Sequence, residues 1–201
     1  MIIAVESAST DLSLALADPD GAPMALDGWT AGRRQGSELL PRLLALLAGQ
    51  GRSITDATAV GVGTGPGSFT GLRVGMSVAK GIAAGLGIPI VGVPSLVAWL
   101  DAEPELPAAL ARAGAREAYL LERGAQAPRL VARDAIDDLG APLVAPAELA
   151  AAFELTATRP PHRSAIAVAA RTASRLAEDP VGDDLRRLEP AYLRAPRGIV
   201  P

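Results

Sequence analysis

Three residue types that often mark chemistry are scarce or missing in this sequence. It has no cysteine, one histidine (His162) and one lysine (Lys80). The lack of cysteine excludes a disulfide framework, a zinc–thiolate site and a cysteine nucleophile. Because His162 has no second histidine or cysteine as a co-ligand, a histidine-based metallopeptidase is excluded as well. No serine lies in a Gly-x-Ser-x-Gly elbow, so the sequence offers no hydrolase triad.

Long apolar runs and an excess of positive charge are also missing. No uninterrupted apolar stretch is long enough to cross a bilayer, and no basic region precedes the first apolar segment. The formal net charge is −3, whereas a protein that binds nucleic acid on its own normally carries a basic patch. We therefore expect a cytoplasmic protein that contacts no membrane and does not bind RNA by itself.

Hydrophobic residues make up 49% of the 201 residues, enough for one large domain or two small lobes. Residues 2–5 are apolar and residues 12–16 alternate, which predicts a hairpin, and residues 23–29 predict a third strand. A leucine-rich helix follows, with Ser37 as its predicted N-cap and Gly51 at its end. Its apolar face is wide enough to contact another subunit, although a buried core helix is the more common explanation.

The most informative stretch is GTGPGSFTGLRVG, residues 63–75. It lies between a predicted strand at residues 59–62 and a predicted helix at residues 72–86, which Gly87 ends. A further strand at residues 88–93 completes a strand–helix–strand crossover. Its glycine-rich turn falls at the carboxyl end of the first strand, where open α/β sheets bind ligands.

Two common phosphate loops do not match this turn. A Walker loop needs a lysine beside the second glycine, but Lys80 lies two helical turns downstream, and Thr70 stands where the dinucleotide fingerprint needs glycine or alanine. What the turn retains is a set of backbone N–H groups at a helix N-terminus, which favours an anion. The predicted contacts are Gly65, Gly67, Ser68 and Thr70, and the candidate N-caps of the helix are Ser68 and Thr70. A tight turn with a capped helix and no ligand explains the pattern equally well.

Residues 65–75 resemble the signature of the TsaB (YeaZ-type) family. The similarity extends to residues 2–10, 13–16, 37–41 and 92–96 and, more thinly, to residues 116–119 and 189–194. The resemblance implies an α/β fold of the actin-like ATPase type (ASKHA, ribonuclease H-like), with two lobes of which the second is reduced. It also implies a non-catalytic subunit that binds and activates TsaD, the enzyme that installs threonylcarbamoyl on the adenosine next to the tRNA anticodon.

Further expectations follow from the same resemblance. TsaE is the implied third subunit, tRNA is contacted only through the complex, and the chain forms a homodimer when it is alone. The chain has no cofactor of its own, but ATP or ADP at the partner interface is implied. No catalytic residue and no metal ligand is expected.

One residue departs from the family pattern. Actin-like ATPases carry an aspartate near the nucleotide phosphates in the first hairpin, and this chain has Glu6 where members of the family usually keep it. The extra methylene displaces the carboxylate by more than an ångström, and a misplacement of about that size removes much of a catalytic effect. We interpret Glu6 as a strand-end carboxylate that accepts hydrogen bonds from nearby loop N–H groups rather than as a catalytic residue.

Small residues four apart on the second helix form two rows, and each row is a strip that another backbone can approach closely. The rows are Gly71, Gly75, Ala79 and Ala83, and Ser77, Gly81 and Gly85. The strips pack either inside the chain or against a partner, and the resemblance favours the partner. The predicted interface residues are Leu39, Leu43, Leu47, Gly71, Arg73, Gly75 and Ala79. Arg73 begins a helix, where the dipole disfavours a cation, so we expect an anion from the partner or a nucleotide beside it.

An acidic, proline-bearing stretch at residues 101–107 separates the halves of the chain. We predict a first lobe at residues 1–103, a second lobe at residues 104–201, and no internal repeat. The elements predicted in the second lobe are helices at residues 108–113, 146–153 and 164–178, the last with Ser164 as N-cap, and strands at residues 117–121 and 130–132.

Two other functions stay open. An independent actin-like nucleotide hydrolase or small-molecule kinase needs a correctly placed acid for Mg²⁺, against which Glu6 counts. A self-associating structural protein would use the same helix faces with its own copy as the partner.

Overall fold

The computed structural model describes residues 1–137 and 142–191. The first half contains five strands and three α-helices. They are β1 (Ile2–Glu6), β2 (Asp11–Ala17), β3 (Pro23–Thr30), α1 (Gln35–Gly49), β4 (Ala59–Gly63), α2 (Phe69–Leu86), β5 (Ile90–Val93) and α3 (Ser95–Ala102), with a short 3₁₀ turn at Ile54–Asp56.

The first five strands form one sheet in the order β3-β2-β1-β4-β5. Strands β1, β2 and β3 form an antiparallel meander, whereas β4 and β5 run parallel to β1. Strands β1, β2 and β4 are buried along their whole length because helices cover both faces of the sheet. This is the strand order of the ribonuclease H-like and actin-like folds, and it confirms the predicted α/β fold class.

The second half repeats that order of elements. It contains β6 (Ala108–Arg112), β7 (Glu117–Glu122), β8 (Arg129–Ala132), α4 (Asp134–Asp137), β9 (Leu143–Val144), α5 (Ala147–Phe153), β10 (Thr158–Arg159) and α6 (Ser164–Glu178). Its sheet order, β8-β7-β6-β9-β10, is again an antiparallel meander followed by two parallel strands. The two halves therefore repeat one topology, although the sequence shows no internal repeat.

Among the described residues, four apolar clusters make up the core. Helices α1 and α2 pack on one face of the first sheet, while α6 and Ala98 of α3 pack on the other face. The second sheet has α4 and α5 on one face. Leu96, Trp99 and Leu100 of α3, together with Leu72, lie on its other face. The third helix is therefore the element that joins the two lobes.

Two sequence predictions in the second half need correction. The alanine-rich residues 108–113 were expected to be helical, but Ala108–Arg112 is the central strand β6, flanked by β7 and β9. Small buried side chains suit a strand that is covered on both faces, so tertiary packing overrides the helix propensity of alanine. Ser164 is not an N-cap, because it is already inside α6 and its hydroxyl donates to the carbonyl of Pro161 at 2.5 Å.

Of the other predicted helix caps, one is confirmed and one is wrong. Ser68 caps α2 as predicted, since its hydroxyl accepts the N–H of Gly71 at 3.2 Å. Ser37 does not cap α1, because that helix begins two residues earlier at Gln35. The predicted limits of α2 and α6 at Gly87 and Glu178 agree with the structure.

The segment after α6 returns to the first sheet and lines the edge of β5. The N–H of Asp183 donates to the carbonyl of Ile90, and its carboxylate accepts the N–H of Gly92. The N–H of Ala191 then donates to the carbonyl of Thr64. Residues 192–194, which carry the end of the sequence resemblance, lie outside the described residues. Within the described ranges, no helix is both long and apolar enough to span a bilayer.

Candidate functional site

The glycine-rich turn lies between the two lobes, at the carboxyl end of β4, and its polar groups are used inside the chain. The N–H of Gly65 donates to the hydroxyl of Ser95 at 2.9 Å, and the N–H of Ser95 donates back to the carbonyl of Gly65 at 2.9 Å. The N–H of Ser68 donates to the carbonyl of Ala8 at 2.6 Å. The turn is therefore fastened to α3 and to the loop that joins β1 and β2.

These contacts correct part of the predicted anion site. The N–H groups of Gly65 and Ser68 already have acceptors within the chain, so they are not aimed at a ligand. Gly67 packs so closely on the β1–β2 loop that a Cβ there would lie 2.0 Å from the carbonyl oxygen of Ala8. Of the predicted anion contacts, only Thr70 has an exposed side chain.

Glu6 ends β1 and is fully buried. One carboxyl oxygen, Oε1, accepts the N–H of Ala8 at 2.8 Å, as interpreted from the sequence. The other oxygen, Oε2, faces the backbone of Gly63, where a Cβ would lie 2.1 Å away, and it has no hydrogen-bond donor among the described residues. Burial raises the pKa of Glu6 from 4.5 to about 7, against a smaller lowering by the Ala8 hydrogen bond. Glu6 is therefore a core acid that no solvent-filled cleft exposes.

The predicted leucine contacts of α1 lie in the core rather than on the surface. Leu39, Leu43 and Leu47 are at most 1% exposed, and they belong to the cluster that α1 forms with the first sheet and α2. Because their side chains already fill the protein interior, they cannot form a partner surface in the folded chain. Their assignment to the interface is corrected accordingly.

The same correction applies to the first row of small residues on α2. Gly71, Gly75 and Ala79 are buried. A Cβ at Gly71 would lie 2.1 Å from the carbonyl oxygen of Ser7, and a Cβ at Gly75 would lie 2.1 Å from the hydroxyl of Ser7. The row is glycine because α2 crosses the β1–β2 loop at backbone contact, which is the internal alternative that the sequence left open.

The neighbouring row on α2 is exposed instead. Ser77, Gly81 and Gly85 face solvent, and a Cβ at Gly81 or Gly85 would have no atom within 4 Å. Glycine costs about 1 kcal/mol in a helix relative to alanine. Nothing packed against these two glycines within the described chain compensates that cost. This row is therefore the one that has room for another backbone.

Helix α1 carries two exposed leucines on the side of that row. Leu40 is 41% exposed and Leu44 is 48% exposed. They share a helix face with Gly36, where a Cβ would lie 4.0 Å from the Val74 side chain of α2. We call the surface formed by Gly36, Leu40, Leu44, Ser77, Gly81 and Gly85 the outer helix face. It combines two large apolar side chains with a flat strip of small residues.

Arg73 and Phe69 lie at the start of α2, one turn before this strip. The Arg73 guanidinium lies 4.4 Å from the centroid of the Phe69 ring, and Phe69 is 41% exposed. Arginine and aromatic residues are enriched where interfaces bind most strongly. Of the residues assigned to the interface from the sequence, Arg73 alone has an exposed side chain in the structure.

Sequence reasoning placed the predicted interface residues on α1 and α2, but in the structure all of them except Arg73 face the core. Leu40 and Leu44 directly follow the core residues Leu39 and Leu43. The leucine pattern therefore predicts a wide apolar face on α1 but does not show which of its leucines point to the core. The second small-residue row was visible in the sequence, but its exposure was not. The rotation of each helix about its axis depends on how it meets the sheet, which only the structure gives.

The comparisons with known proteins agree with the fold. The family model described as TsaD, tRNA N6-adenosine threonylcarbamoyltransferase, matches residues 30–178. The TsaB protein of tRNA threonylcarbamoyladenosine biosynthesis from Escherichia coli is 38% identical over 96 residues, which are 48% of this chain and 41% of that protein. A tRNA N6-adenosine threonylcarbamoyltransferase from Solidesulfovibrio magneticus is 43% identical over 70 residues, 35% of this chain and 19% of that protein.

Among solved structures, YeaZ from Pseudomonas aeruginosa superposes with a TM-score of 0.67 at 21% identity, covering 96% of this chain and 99% of that one. The chain spans less than half the length of the curated relatives that it matches. The family model nevertheless covers well over half of this chain. In part of its sequence and in its fold the chain is similar to the TsaB (YeaZ-type) proteins. The chain belongs to the family that the TsaD model defines.

Proposed function

We propose that this chain is a non-catalytic subunit in tRNA threonylcarbamoyladenosine biosynthesis, and that it binds and activates TsaD through the outer helix face. The observation that carries the proposal is the pairing of exposed Leu40 and Leu44 with the open strip at Gly81 and Gly85. Two helices of a partner pack against such a surface as in a four-helix bundle, with small residues admitting close backbone approach.

The position of Glu6 supports the non-catalytic part of the proposal. An acid that holds Mg²⁺ at a nucleotide must be ionised and must face the ligand. Glu6 is buried against Gly63, and its pKa is raised to about 7 by that burial. The turn N–H groups of Gly65 and Ser68 are also engaged within the chain. These features favour a subunit without ATP hydrolysis of its own over an independent nucleotide hydrolase or kinase.

Arg73 gives the proposed interface a charged end. A partner carboxylate, or a phosphate of ATP or ADP held between the subunits, would face its guanidinium and the Thr70 hydroxyl. In this proposal the isolated chain has no cofactor, and tRNA reaches the chain only through the complex. Calorimetry tests this point by measuring nucleotide binding to the chain, to TsaD and to their mixture. The mixture should show a nucleotide site that neither protein has alone, and Arg73→Ala should remove that site.

The experiment that tests the main proposal pairs the chain with TsaD from the same genome in light-scattering gel filtration. The double variant Leu40→Asp with Leu44→Asp places two charges in the centre of the outer helix face and should abolish the mixed complex. Its monomer should stay folded, because both side chains already contact solvent. Threonylcarbamoyl transfer to tRNA by the reconstituted mixture should fall with complex formation.

The matched control is Leu130→Asp, which changes a leucine of 40% exposure on β8 in the second lobe. This variant should bind TsaD like the unchanged chain. Equal binding by the double variant and the control would contradict the proposed surface. If the chain alone forms a homodimer and the double variant does not, the same face also pairs with its own copy. A separate experiment adds TsaE to the intact complex of the chain with TsaD and looks for a third subunit.

A further inference from the structure

A buried carboxylate outside the outer helix face connects the two lobes. Asp11 begins β2, and its side chain is fully buried. Its Oδ1 atom accepts the hydroxyl of Thr30 at 2.5 Å and lies 3.0 Å from Nε2 of His162. Its Oδ2 atom accepts the N–H of Ala147 at 2.6 Å. Both oxygens are therefore engaged, and the cost of burying the charge is offset by three polar contacts.

The three partners of Asp11 come from three separate parts of the chain. Thr30 ends β3 in the first lobe, whereas Ala147 is the first residue of α5 in the second lobe. His162 lies in the segment by which the chain returns from the second sheet to α6. A single side chain of the first lobe thus holds both the second lobe and the returning segment.

The contact geometry excludes a nucleophilic triad at this position. Thr30 and Asp11 both meet the same imidazole nitrogen, Nε2, at 3.2 Å and 3.0 Å. In a triad the hydroxyl and the carboxylate meet opposite nitrogens of the ring. Nε2 donates to the Asp11 carboxylate in this arrangement, which fixes the ring and leaves no nitrogen to activate the hydroxyl.

Between residues 1 and 191 the chain crosses from one lobe to the other twice, and the first crossing is held by different contacts. There the guanidinium of Arg123 donates to the carbonyls of Leu100, Glu103 and Leu106, at 2.8, 2.9 and 3.0 Å. These bonds fix residues 103–107, where α3 passes into β6. Asp11 provides the corresponding fixed point at the second crossing, beside His162. These two polar fixed points add to the apolar cluster through which α3 and Leu72 pack on the second sheet.

Other charged groups near Asp11 lie on the second lobe. The pKa of Glu148 on α5 is raised by burial and by the charge of Asp11, and lowered by Arg112 at the end of β6. The first lobe therefore presents a carboxylate to a second-lobe surface that carries one acid and one base. The direct contact between Asp11 and this surface is the hydrogen bond from the Ala147 N–H to Oδ2.

We propose that Asp11 is a latch that sets the angle between the two lobes, joining β2 to α5 and to the segment before α6. Replacing it with alanine removes all three contacts at once, while the Arg123 contacts at the other crossing remain. The lobes should then open about residues 103–107 without loss of either sheet.

The absence of cysteine allows spin labels to be placed at two chosen positions without a background label. Ala48→Cys on α1 and Ala152→Cys on α5 are exposed sites, one in each lobe. Pulsed electron–electron double resonance should give one narrow distribution of the distance between the two spin labels. With Asp11→Ala added, the distribution should broaden and shift, and a distribution unchanged from the parent would overturn the proposal.

The matched control is Asp27→Ala, which removes an ion pair to Arg42 at 2.9 Å within the first lobe and should leave the distribution unchanged. Where Asp11→Ala does not fold, Asp11→Asn and His162→Ala decide, since each removes part of the latch, and narrow parental distributions in both would overturn the proposal. The latch is independent of the proposed function, because the outer helix face lies wholly on the first lobe and TsaD should still bind the opened variant.

Discussion

The two lobes have the same order of elements but helices of very different length. In the first lobe α1 has 15 residues and α2 has 18. In the second lobe α5, the equivalent of α2, has 7, and the described part of α4, the equivalent of α1, has 4. The short helices still cover one face of the second sheet, with Leu149 and Phe153 filling its core. Covering a sheet of this size therefore does not require long helices.

The length of α1 and α2 exceeds what covering the sheet requires. Each long helix buries one side against the first sheet and presents a second apolar or small-residue side outward, as at Leu44 and Gly81. A helix that only covers a sheet needs one apolar side and gains nothing from a second one that faces outward. Under the proposed function, the first-lobe copy of the repeated unit carries the docking surface, while the second-lobe copy only covers its sheet.

The largest predicted effect separates the inner and outer sides of α2. Gly75→Leu forces a side chain into a space where even a Cβ would lie 2.1 Å from the Ser7 hydroxyl, so we expect loss of the folded protein. At Gly81 a Cβ would have no atom within 4 Å, so Gly81→Leu should retain the melting temperature within a few degrees. Circular dichroism melts compare the two variants.

The binding assay completes that comparison. Gly81→Leu should fold and yet lose TsaD, because the added side chain fills the strip that the partner backbone would approach. A folded Gly75→Leu variant would contradict the internal packing of the inner row. Normal TsaD binding by Gly81→Leu would remove the outer row from the interface.

Local patterns in the sequence were sufficient for much of the fold and for part of the site. The first hairpin, the crossover around α2 and the Ser68 cap follow from alternation, glycine positions and hydroxyl placement, all of which act over a few residues. The strand β6 was missed because its alanines favour a helix locally and become a strand only through β7 and β9. The repeated topology was missed because the order in which strands pair in a sheet cannot be read from the identities of their residues.

The second prediction tests whether the smaller lobe is only structural. Phe153 is 1% exposed in the core between α5 and the second sheet. Phe153→Ala removes a buried ring from a lobe with little else to fill the space, and should lower the free energy of unfolding by about 3–5 kcal/mol. Urea titration measures this loss.

The same variant should bind TsaD with unchanged affinity under conditions where it remains folded. The reason is that the outer helix face belongs to the first lobe. Loss of TsaD binding by folded Phe153→Ala would assign part of the interface to the second lobe and contradict the division of roles between the lobes.

The smallest predicted effect concerns the equivalent ends of β1 and β6. Both strands have five residues, but β1 ends in buried Glu6 and β6 ends in exposed Arg112. Because the folded-state pKa of Glu6 is about 7 and its ordinary value is 4.5, the unfolded chain loses this proton first as the pH rises. Glu6 therefore lowers the free energy of unfolding progressively between pH 4.5 and about 7, by an upper limit of about 3 kcal/mol.

Glu6→Gln removes this ionisation while keeping the shape of the side chain. The variant and the parent should have similar stability at pH 4, where Glu6 is protonated in both the folded and unfolded chains. At pH 8 the variant should be more stable, by at most about 3 kcal/mol. Urea titrations of both proteins at a series of pH values measure the difference. A stability difference that does not change between pH 4 and pH 8 would mean that Glu6 ionises at its ordinary pKa, and that the first lobe opens to solvent at the point where the structure closes it.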